Sequence, residues 1–441
     1  MKIQNKIALI IISIILFINT CMCTKVQADQ TLTTSNTSTV ISSKSDSDIT
    51  LDLYSEAAAL IDSKTGKILY GKNEKEKMYP ASTTKVLTAI IALEKCKLTD
   101  KITASYDAVM SIPAGYSNAA IQPGETLTVQ ELLDMFLIHS ANEIGFILAE
   151  HISGSIEEFS NLMNQKVAEL GCTCTHFTNP SGIHDDDHYS TAYDMALIAR
   201  YCMENDEFRK IVLKKSCTIA PTEKYQERYF VNTNDMIKPS SQYYYQYAIG
   251  IKTGYTSQAK NCLISASLKD NLELIAVVLG AQATDTGKSG RYIDTINLFE
   301  YGYSNYKMQE IATKNSVIQE ITIQNATKQT KNLPILLKDS ISSVAPMSFD
   351  LNNINYNIQL NENISAPISE GSVVGKITYN IDEIVYTSDL LAGHNVEKSN
   401  LPILIVQIVL AVLVLFILAK LLSPKKNYKK KKYKKSKKKI I

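Results

Sequence analysis

The chain has 441 residues, 45% hydrophobic and 20% charged, with 17 glycines, 11 prolines and a formal net charge of +2. That composition excludes a disordered, collagenous or disulfide-dominated chain, and the length allows more than one domain. The small net charge hides an asymmetry: residues 1–28 and 423–441 carry three and eleven lysines and no acids, while residues 29–422 carry 32 basic and 44 acidic residues, a net of −12. Bulk charge therefore does not suggest a polyanionic substrate for the body of the protein.

Lys2 and Lys6 open the chain, an apolar run extends from Ile7 to Ile18, and Val26-Gln27-Ala28 offers small residues at signal-peptidase spacing. This is the pattern of a secretory signal peptide over residues 1–28. The alternative, an uncleaved anchor, needs a span of ~20 residues, longer than this run. Residues 29–50, rich in Ser, Thr and Asp, read as a flexible spacer.

Ala57–Ile61 and Lys67–Tyr70 flank Ser63-Lys64-Thr65-Gly66, a hairpin signature. Val86–Lys95 has helical composition. Thr128-Val129-Gln130-Glu131 is a capping box opening a helix that runs toward His139. Ser155-Ile156-Glu157-Glu158 repeats that signal, with Gly171 as the stop. Asn261–Leu268 and Leu272–Gly280 are predicted strands joined through Lys269-Asp270-Asn271. Ser289–Tyr303 is a predicted helix with Ile293, Ile296 and Phe299 turned inward.

Strands, then helices, then strands, then a helix do not form a βαβ repeat. The order predicts an α+β domain over residues 51–306, an antiparallel sheet flanked by helices with a helical insertion. Over residues 307–399 helical periodicity fades. Ser316–Ile323, Leu333–Leu337 and Val373–Tyr379 are short apolar stretches separated by Asn, Gly and Pro, which predicts a small all-β domain. Leu401–Leu422 is apolar apart from Gln407 and Lys420. At ~1.5 Å per residue it reaches ~33 Å, enough for a bilayer core of ~30 Å. The lysines of residues 423–441 then predict a cytoplasmic tail, a single C-terminal transmembrane helix and an extracytoplasmic body at the cell membrane. Contact with anionic membrane lipid accounts for the tail, so no nucleic-acid partner is expected. Six cysteines lie in the body (Cys96, Cys172, Cys174, Cys202, Cys217 and Cys262), and their spacing does not say whether they pair.

Three short motifs carry chemistry. Ser82-Thr83-Thr84-Lys85 places a hydroxyl and an amine on one helical face. A serine becomes a nucleophile when a base takes its proton, and a lysine serves if burial or nearby positive charge lowers its pKa. The same S-x-x-K spacing recurs at Ser257, Ser304, Ser423 and Ser436, where it reads as a surface pair. Only at Ser82 does a proline, Pro80, stand two residues ahead and a strongly apolar helix follow. Ser140-Ala141-Asn142 sits just past a predicted helix, where the hydroxyl can relay a proton and the amide can hold a substrate carbonyl. Lys252-Thr253-Gly254 follows apolar Ala248–Ile251; its lysine and hydroxyl suit a carboxylate, and Gly254 leaves room for substrate backbone. Lys64-Thr65-Gly66 has the same letters but precedes Ser82 and reads as the hairpin turn.

Each triplet alone is weak; the ordered trio is the set shared by penicillin-binding proteins and class A β-lactamases. Pro80–Lys85, Asn179-Pro180-Ser181-Gly182 and His188-Tyr189-Ser190-Thr191-Ala192-Tyr193-Asp194 resemble the low-molecular-mass D-alanyl-D-alanine carboxypeptidases, over about Leu51 to Tyr303. Lys307 to about Ala392 resembles the β-rich C-terminal domain of that family, best at Gly371–Lys376. The resemblance implies that Ser82 attacks the carbonyl between two terminal D-alanines of a peptidoglycan peptide stem and Lys85 accepts its proton. Ser140 passes a proton to the departing D-alanine, and Asn142 orients the peptide. Lys252 and Thr253, beside Gly254, hold the terminal carboxylate. Backbone N–H groups of Ser82 and Tyr255 form the oxyanion hole. It implies inhibition by penicillin and other β-lactams and no cofactor. Arg291 is a weaker candidate for carboxylate binding. Ala141 stands where the family often has glycine, Tyr255 alters the cleft rim, and a full span replaces the amphipathic anchor common in the family.

Three alternatives stand beside this reading. Cys172, Cys174, His176, His184, Asp185–Asp187 and His188 lie close in sequence and suit zinc by residue type, although C-x-C is tighter than usual zinc pairs. A class A β-lactamase uses a glutamate in an E-x-x-L-N segment, which the chain lacks. A non-catalytic wall-binding protein is the third, weighed against a complete set of reactive residues.

Overall fold

The computed structural model describes residues 34–35, 50–351, 354–382 and 384–422. The expected signal peptide, the spacer apart from Thr34, Ser35 and Thr50, and the lysine-rich tail lie outside the described residues. Two compact units are present, one of residues 50–311 with 342–351, the other of residues 34–35, 312–341, 354–382 and 384–422.

The first unit is built on a five-stranded antiparallel sheet. Its order is Ile68–Lys72, Ala57–Asp62, Leu272–Ala281, Lys260–Lys269, Ala248–Thr256. Successive side chains in a strand point to opposite faces, and here both faces are covered. Ala57, Ala59, Ile61, Ile275, Val277 and Leu279 join the larger core, with side chains from the helices Lys85–Lys95, Glu143–Ser153 and Ala192–Met203. Ala58, Leu60, Leu274, Ala276 and Val278 face the other way, onto Leu298 and Phe299 of the helix Gly290–Asn305. Burial on both faces explains why Ala57–Ile61 is apolar throughout rather than alternating. Each large side chain buried there stabilises the fold by about 1.5–3 kcal/mol.

Local chemistry sets the turns. The buried Asp62 carboxylate accepts from Thr65 N (2.8 Å) and Thr65 Oγ1 (2.5 Å), and Gly66 supplies a φ of +78°, so Lys64-Thr65-Gly66 is the hairpin turn that its position predicted. Asp270 and Asn271 both take positive φ, the conformation that lets a two-residue hairpin follow the strand twist. Thr128 and Glu131 form the reciprocal capping box. Ser155 caps Ile156–Glu169, and Gly171 at φ +81° follows its end.

Two expectations change in detail. The helix begun at Thr128 is α-helical only over Val129–Asp134; Met135–His139 is a π turn, and Ser140 then adopts φ 71°. In the helix Gly290–Asn305 the buried stripe is Tyr292, Asp294, Thr295, Leu298 and Phe299, while Ile293 and Ile296 are only half-buried. The polar members displace the stripe from the apolar pattern. Asp294 faces inward because its carboxylate accepts from the backbone N–H groups of Tyr54 (3.0 Å) and Ser55 (2.7 Å). The six body cysteines are free thiols.

The second unit contains an antiparallel sheet ordered Thr34–Ser35, Asn355–Leu360, Val373–Ile381, Ile384–Ala392, Asn332–Leu337, Val317–Thr322. Leu333, Ile335, Leu337, Ile377 and Leu390 are buried in it. The helix Leu401–Leu422 belongs to this unit and is long and apolar enough to cross a membrane.

Candidate active site

Ser82 lies in a 3₁₀ turn, Ala81–Thr84, that leads directly into the helix Lys85–Lys95. The turn puts Lys85 Nζ 2.9 Å from Ser82 Oγ. Nζ also lies 2.8 Å from Asn142 Oδ1 and 2.5 Å from the backbone oxygen of Ser181. The Asn142 amide orientation is set by its other end, since Nδ2 donates to the Ser117 carbonyl at 2.8 Å.

Lys85 is fully buried. Burial holds its pKa well below the usual lysine range, the positive charge of Lys252 lowers it further, and Glu143 opposes them. In the neutral form that burial favours, the Lys85 amine has two N–H donors and one lone pair. The oxygens of Asn142 and Ser181 can only accept, so both N–H groups go to them. The lone pair then falls to Ser82, the one partner among the three that owns a proton. This arrangement is what a serine nucleophile with a lysine base requires.

The edge strand Ala248–Thr256 brings the third motif to the same place. An added Cβ on Gly254 would lie 3.0 Å from the Pro80 oxygen and 3.1 Å from Ser82 N. The strand therefore runs in close contact with the serine turn, and a larger residue would push them apart. Lys252 is buried, and its pKa is lowered to about 7 by burial and by the Arg291 charge. Its ammonium donates to the carbonyl of neighbouring Thr253 at 3.0 Å. Thr253 Oγ1 donates to Thr233 Oγ1 at 2.7 Å. Arg291 donates to the Gly254 carbonyl at 3.3 Å. Lys252, Thr253 and Arg291 thus form a cationic, hydroxyl-bearing edge beside Ser82, suited to a carboxylate. Tyr255 is 64% exposed.

Ser140 is buried, and its left-handed backbone joins the π turn to the helix Glu143–Ser153. It supplies no hydrogen bond to Lys85, whose partners are Ser82, Asn142 and Ser181. Left-handed backbone is uncommon for a non-glycine residue and here reverses the chain, so that Asn142 faces Lys85.

Several residues of the site are given no role in the sequence reading. Ser181 supplies the third partner of Lys85, and its Oγ donates to the Asn142 carbonyl at 2.7 Å. Gly182 packs so tightly against the serine turn that an added Cβ would sit 1.9 Å from the Ala81 oxygen. Ser117 accepts from both the backbone and the side chain of Asn142. His188 accepts from Thr178 N at its Nδ1 (3.1 Å), which leaves Nε2 as the donor to Thr84 Oγ1 (2.8 Å). Burial lowers its pKa to about 3, aided by the His176 and Lys85 charges, so it is a neutral strut behind the serine turn. Both ring nitrogens are thereby engaged. His176 Nδ1 is bonded to the Asp187 carbonyl and Cys172 Sγ to the Asp194 carbonyl. Among the described residues no three His, Cys, Asp or Glu side chains gather as a metal site.

The D-alanyl-D-alanine carboxypeptidase family model matches residues 39–283, and the model of the penicillin-binding protein 5 C-terminal domain matches residues 306–398. D-alanyl-D-alanine carboxypeptidase DacF of Bacillus subtilis is 34% identical over 365 residues, covering 81% of this chain and 90% of the relative. DacC of Escherichia coli is 28% identical, covering 77% and 83%. Penicillin-binding protein 5 of Haemophilus influenzae superposes with a TM-score of 0.60 at 25% identity, covering 79% of this chain and 99% of that one. PBP3 of Streptococcus pneumoniae shares the fold, with a TM-score of 0.65 at 23% identity over 78% of this chain and 100% of that one.

Proposed function

The chain belongs to the D-alanyl-D-alanine carboxypeptidase family, and we propose on that premise that Ser82, Lys85 and Ser140 are its catalytic residues, with substrate held by Asn142, Lys252, Thr253, Gly254 and Tyr255. The protein is a serine-type, penicillin-binding D-Ala-D-Ala carboxypeptidase. The observation that carries the assignment is Lys85, buried and bonded to Ser82, Asn142 and Ser181.

In this reading Ser82 Oγ attacks the carbonyl carbon of the penultimate D-alanine as its proton passes to Lys85 Nζ. The tetrahedral oxyanion rests on the backbone N–H groups of Ser82 and Tyr255; such donors are worth ~3 kcal/mol each. The close packing of Gly254 on Ser82 N supports that pairing. The C–N bond then breaks, and the leaving D-alanine takes a proton through Ser140. Lys252 and Thr253 hold its carboxylate throughout. Water hydrolyses the Ser82 ester and regenerates the hydroxyl. A β-lactam enters the same way and stalls as the acyl-enzyme.

We further assign residues 51–306 to catalysis, 307–399 to a β-rich domain and 401–422 to a single membrane span with the catalytic domain outside. The length and apolar character of Leu401–Leu422 support the span, and the membrane lipids around it are the partner of that segment. Fluorescent penicillin should label the wild-type protein and fail to label Ser82→Ala. Mass spectrometry of a stem pentapeptide should show loss of one terminal alanine. Equal labelling of both proteins removes the assignment.

A further inference from the structure

The catalytic motifs contain no acid, yet a carboxyl group is buried one residue beyond Asn142. Glu143 is 2% exposed at the first turn of the helix Glu143–Ser153. One of its oxygens, Oε1, accepts from Ala119 N at 2.6 Å. The other, Oε2, is buried and has no hydrogen-bond partner. Burying a carboxyl group with one oxygen unsatisfied is costly, and a glutamate placed so needs a reason beyond packing.

Two connections lead from Glu143 to the reacting atoms. The first is mechanical. Glu143 grips the segment at Ala119, and two residues earlier the carbonyl of Ser117 accepts from both the backbone N–H (2.9 Å) and Nδ2 (2.8 Å) of Asn142. Asn142 in turn presents Oδ1 to Lys85 Nζ at 2.8 Å. The second is electrostatic. Lys85 is buried among three further titratable groups: Glu143, Lys252 with Arg291 behind it, and His188, which burial keeps neutral. Among the described residues, Glu143 is the acid that counters Lys252 there. Burial pushes its own carboxyl up, while the bond from Ala119 N–H and the Lys85 charge draw it down.

We propose that Glu143 is a positioning residue for the acylation base: its carboxylate clamps the Ser117–Ala119 segment that orients Asn142 against Lys85, and its negative charge offsets that of Lys252 around the base. The inference rests on the assignment of Lys85 as base. Without Glu143, Lys85 among burial and Lys252 would be a weak base, neutral over a wide pH range but a poor proton acceptor. Catalysis is best served by a base whose pKa lies near the working pH.

The test is the pH dependence of acylation by fluorescent penicillin in the full chain. Glu143→Gln keeps the size and an acceptor for Ala119 N but removes the charge. The acid limb of the acylation rate is expected to move to lower pH, on the order of one unit, with a lower plateau. Glu143→Asp, which keeps the charge but withdraws it by one methylene, should shift the limb less in the same direction. It also serves if the glutamine variant does not fold. An unchanged acid limb in whichever variant folds overturns the inference, as does a shift to higher pH. Ser82→Ala run in parallel separates the two claims: if it still labels, the assignment of the nucleophile fails, whatever Glu143 does.

Discussion

The side-chain oxygen of Asn142 lies 2.8 Å from Lys85 Nζ, with its amide nitrogen held on the Ser117 carbonyl so that the group cannot turn over. That contact directs the Lys85 lone pair at Ser82. It also makes Asn142→Asp informative, because the substitution puts a negative charge where a neutral acceptor stood. An adjacent opposite charge within ~4–6 Å raises a lysine pKa by about 1–3 units. We expect the acid limb of the acylation rate to move to higher pH, opposite to Glu143→Gln. Stopped-flow acylation against pH checks it.

Lys85→Met preserves an unbranched chain of similar length in a buried position and removes only the amine. The expected loss in acylation is about 10²–10⁴-fold, the usual contribution of a general base, with the thermal midpoint little changed. Loss of folding together with activity would assign Lys85 a structural role instead.

The lysine at 252 should impose an alkaline limit. Its pKa is lowered to about 7 by burial and by Arg291, so the charge that binds carboxylate is present below that pH and is lost as pH rises through it. A bound carboxylate raises the pKa again. The alkaline limb of kcat/KM, which reports free enzyme, should therefore lie near pH 7, and that of kcat at higher pH. Lys252→Met should abolish the difference and raise KM more than it lowers kcat.

His188 predicts acid sensitivity of the fold. Its pKa is about 3 in the folded protein and about 6.5 unfolded. The unfolded state alone binds the proton between those values, so stability falls as pH drops from about 6.5 toward 3, by up to about 1.4 kcal/mol per unit. His188→Gln should flatten that slope in urea melts taken at pH 6.5, 5.5 and 4.5, at a cost in stability at neutral pH from weakened bonds to Thr84 and Thr178.

Gly182 has no space for a side chain, since an added Cβ would lie 1.9 Å from the Ala81 oxygen, and its φ is +74°. Gly182→Ala should displace the serine turn, destabilising the protein by about 2–4 kcal/mol and depressing penicillin labelling. Labelling at the wild-type rate would show that the turn tolerates displacement.

Much was legible in the residues alone because it depends on local spacing. The S-x-x-K pair meets through one turn of chain, the Thr128 box caps its own helix, Asp62 closes its own hairpin, and a long apolar run reads as a span-length helix without any partner. The order Ser82, Ser140, Lys252, with the stretches around Pro80 and Ser181, was enough to point to the family and hence to the chemistry. The partners of Lys85 were not legible, because Asn142 and Ser181 stand 57 and 96 residues away and no periodicity links them. Nor were the left-handed Ser140, the seat of Gly254 on Ser82 N, or the buried Glu143. The pKa of a lysine is no property of its motif: it follows from how much water the fold removes and which charges it brings near. For Lys85 and Lys252 both were set by packing a strand edge against a helix start, and that packing turns an ordinary serine near an ordinary lysine into a nucleophile and its base.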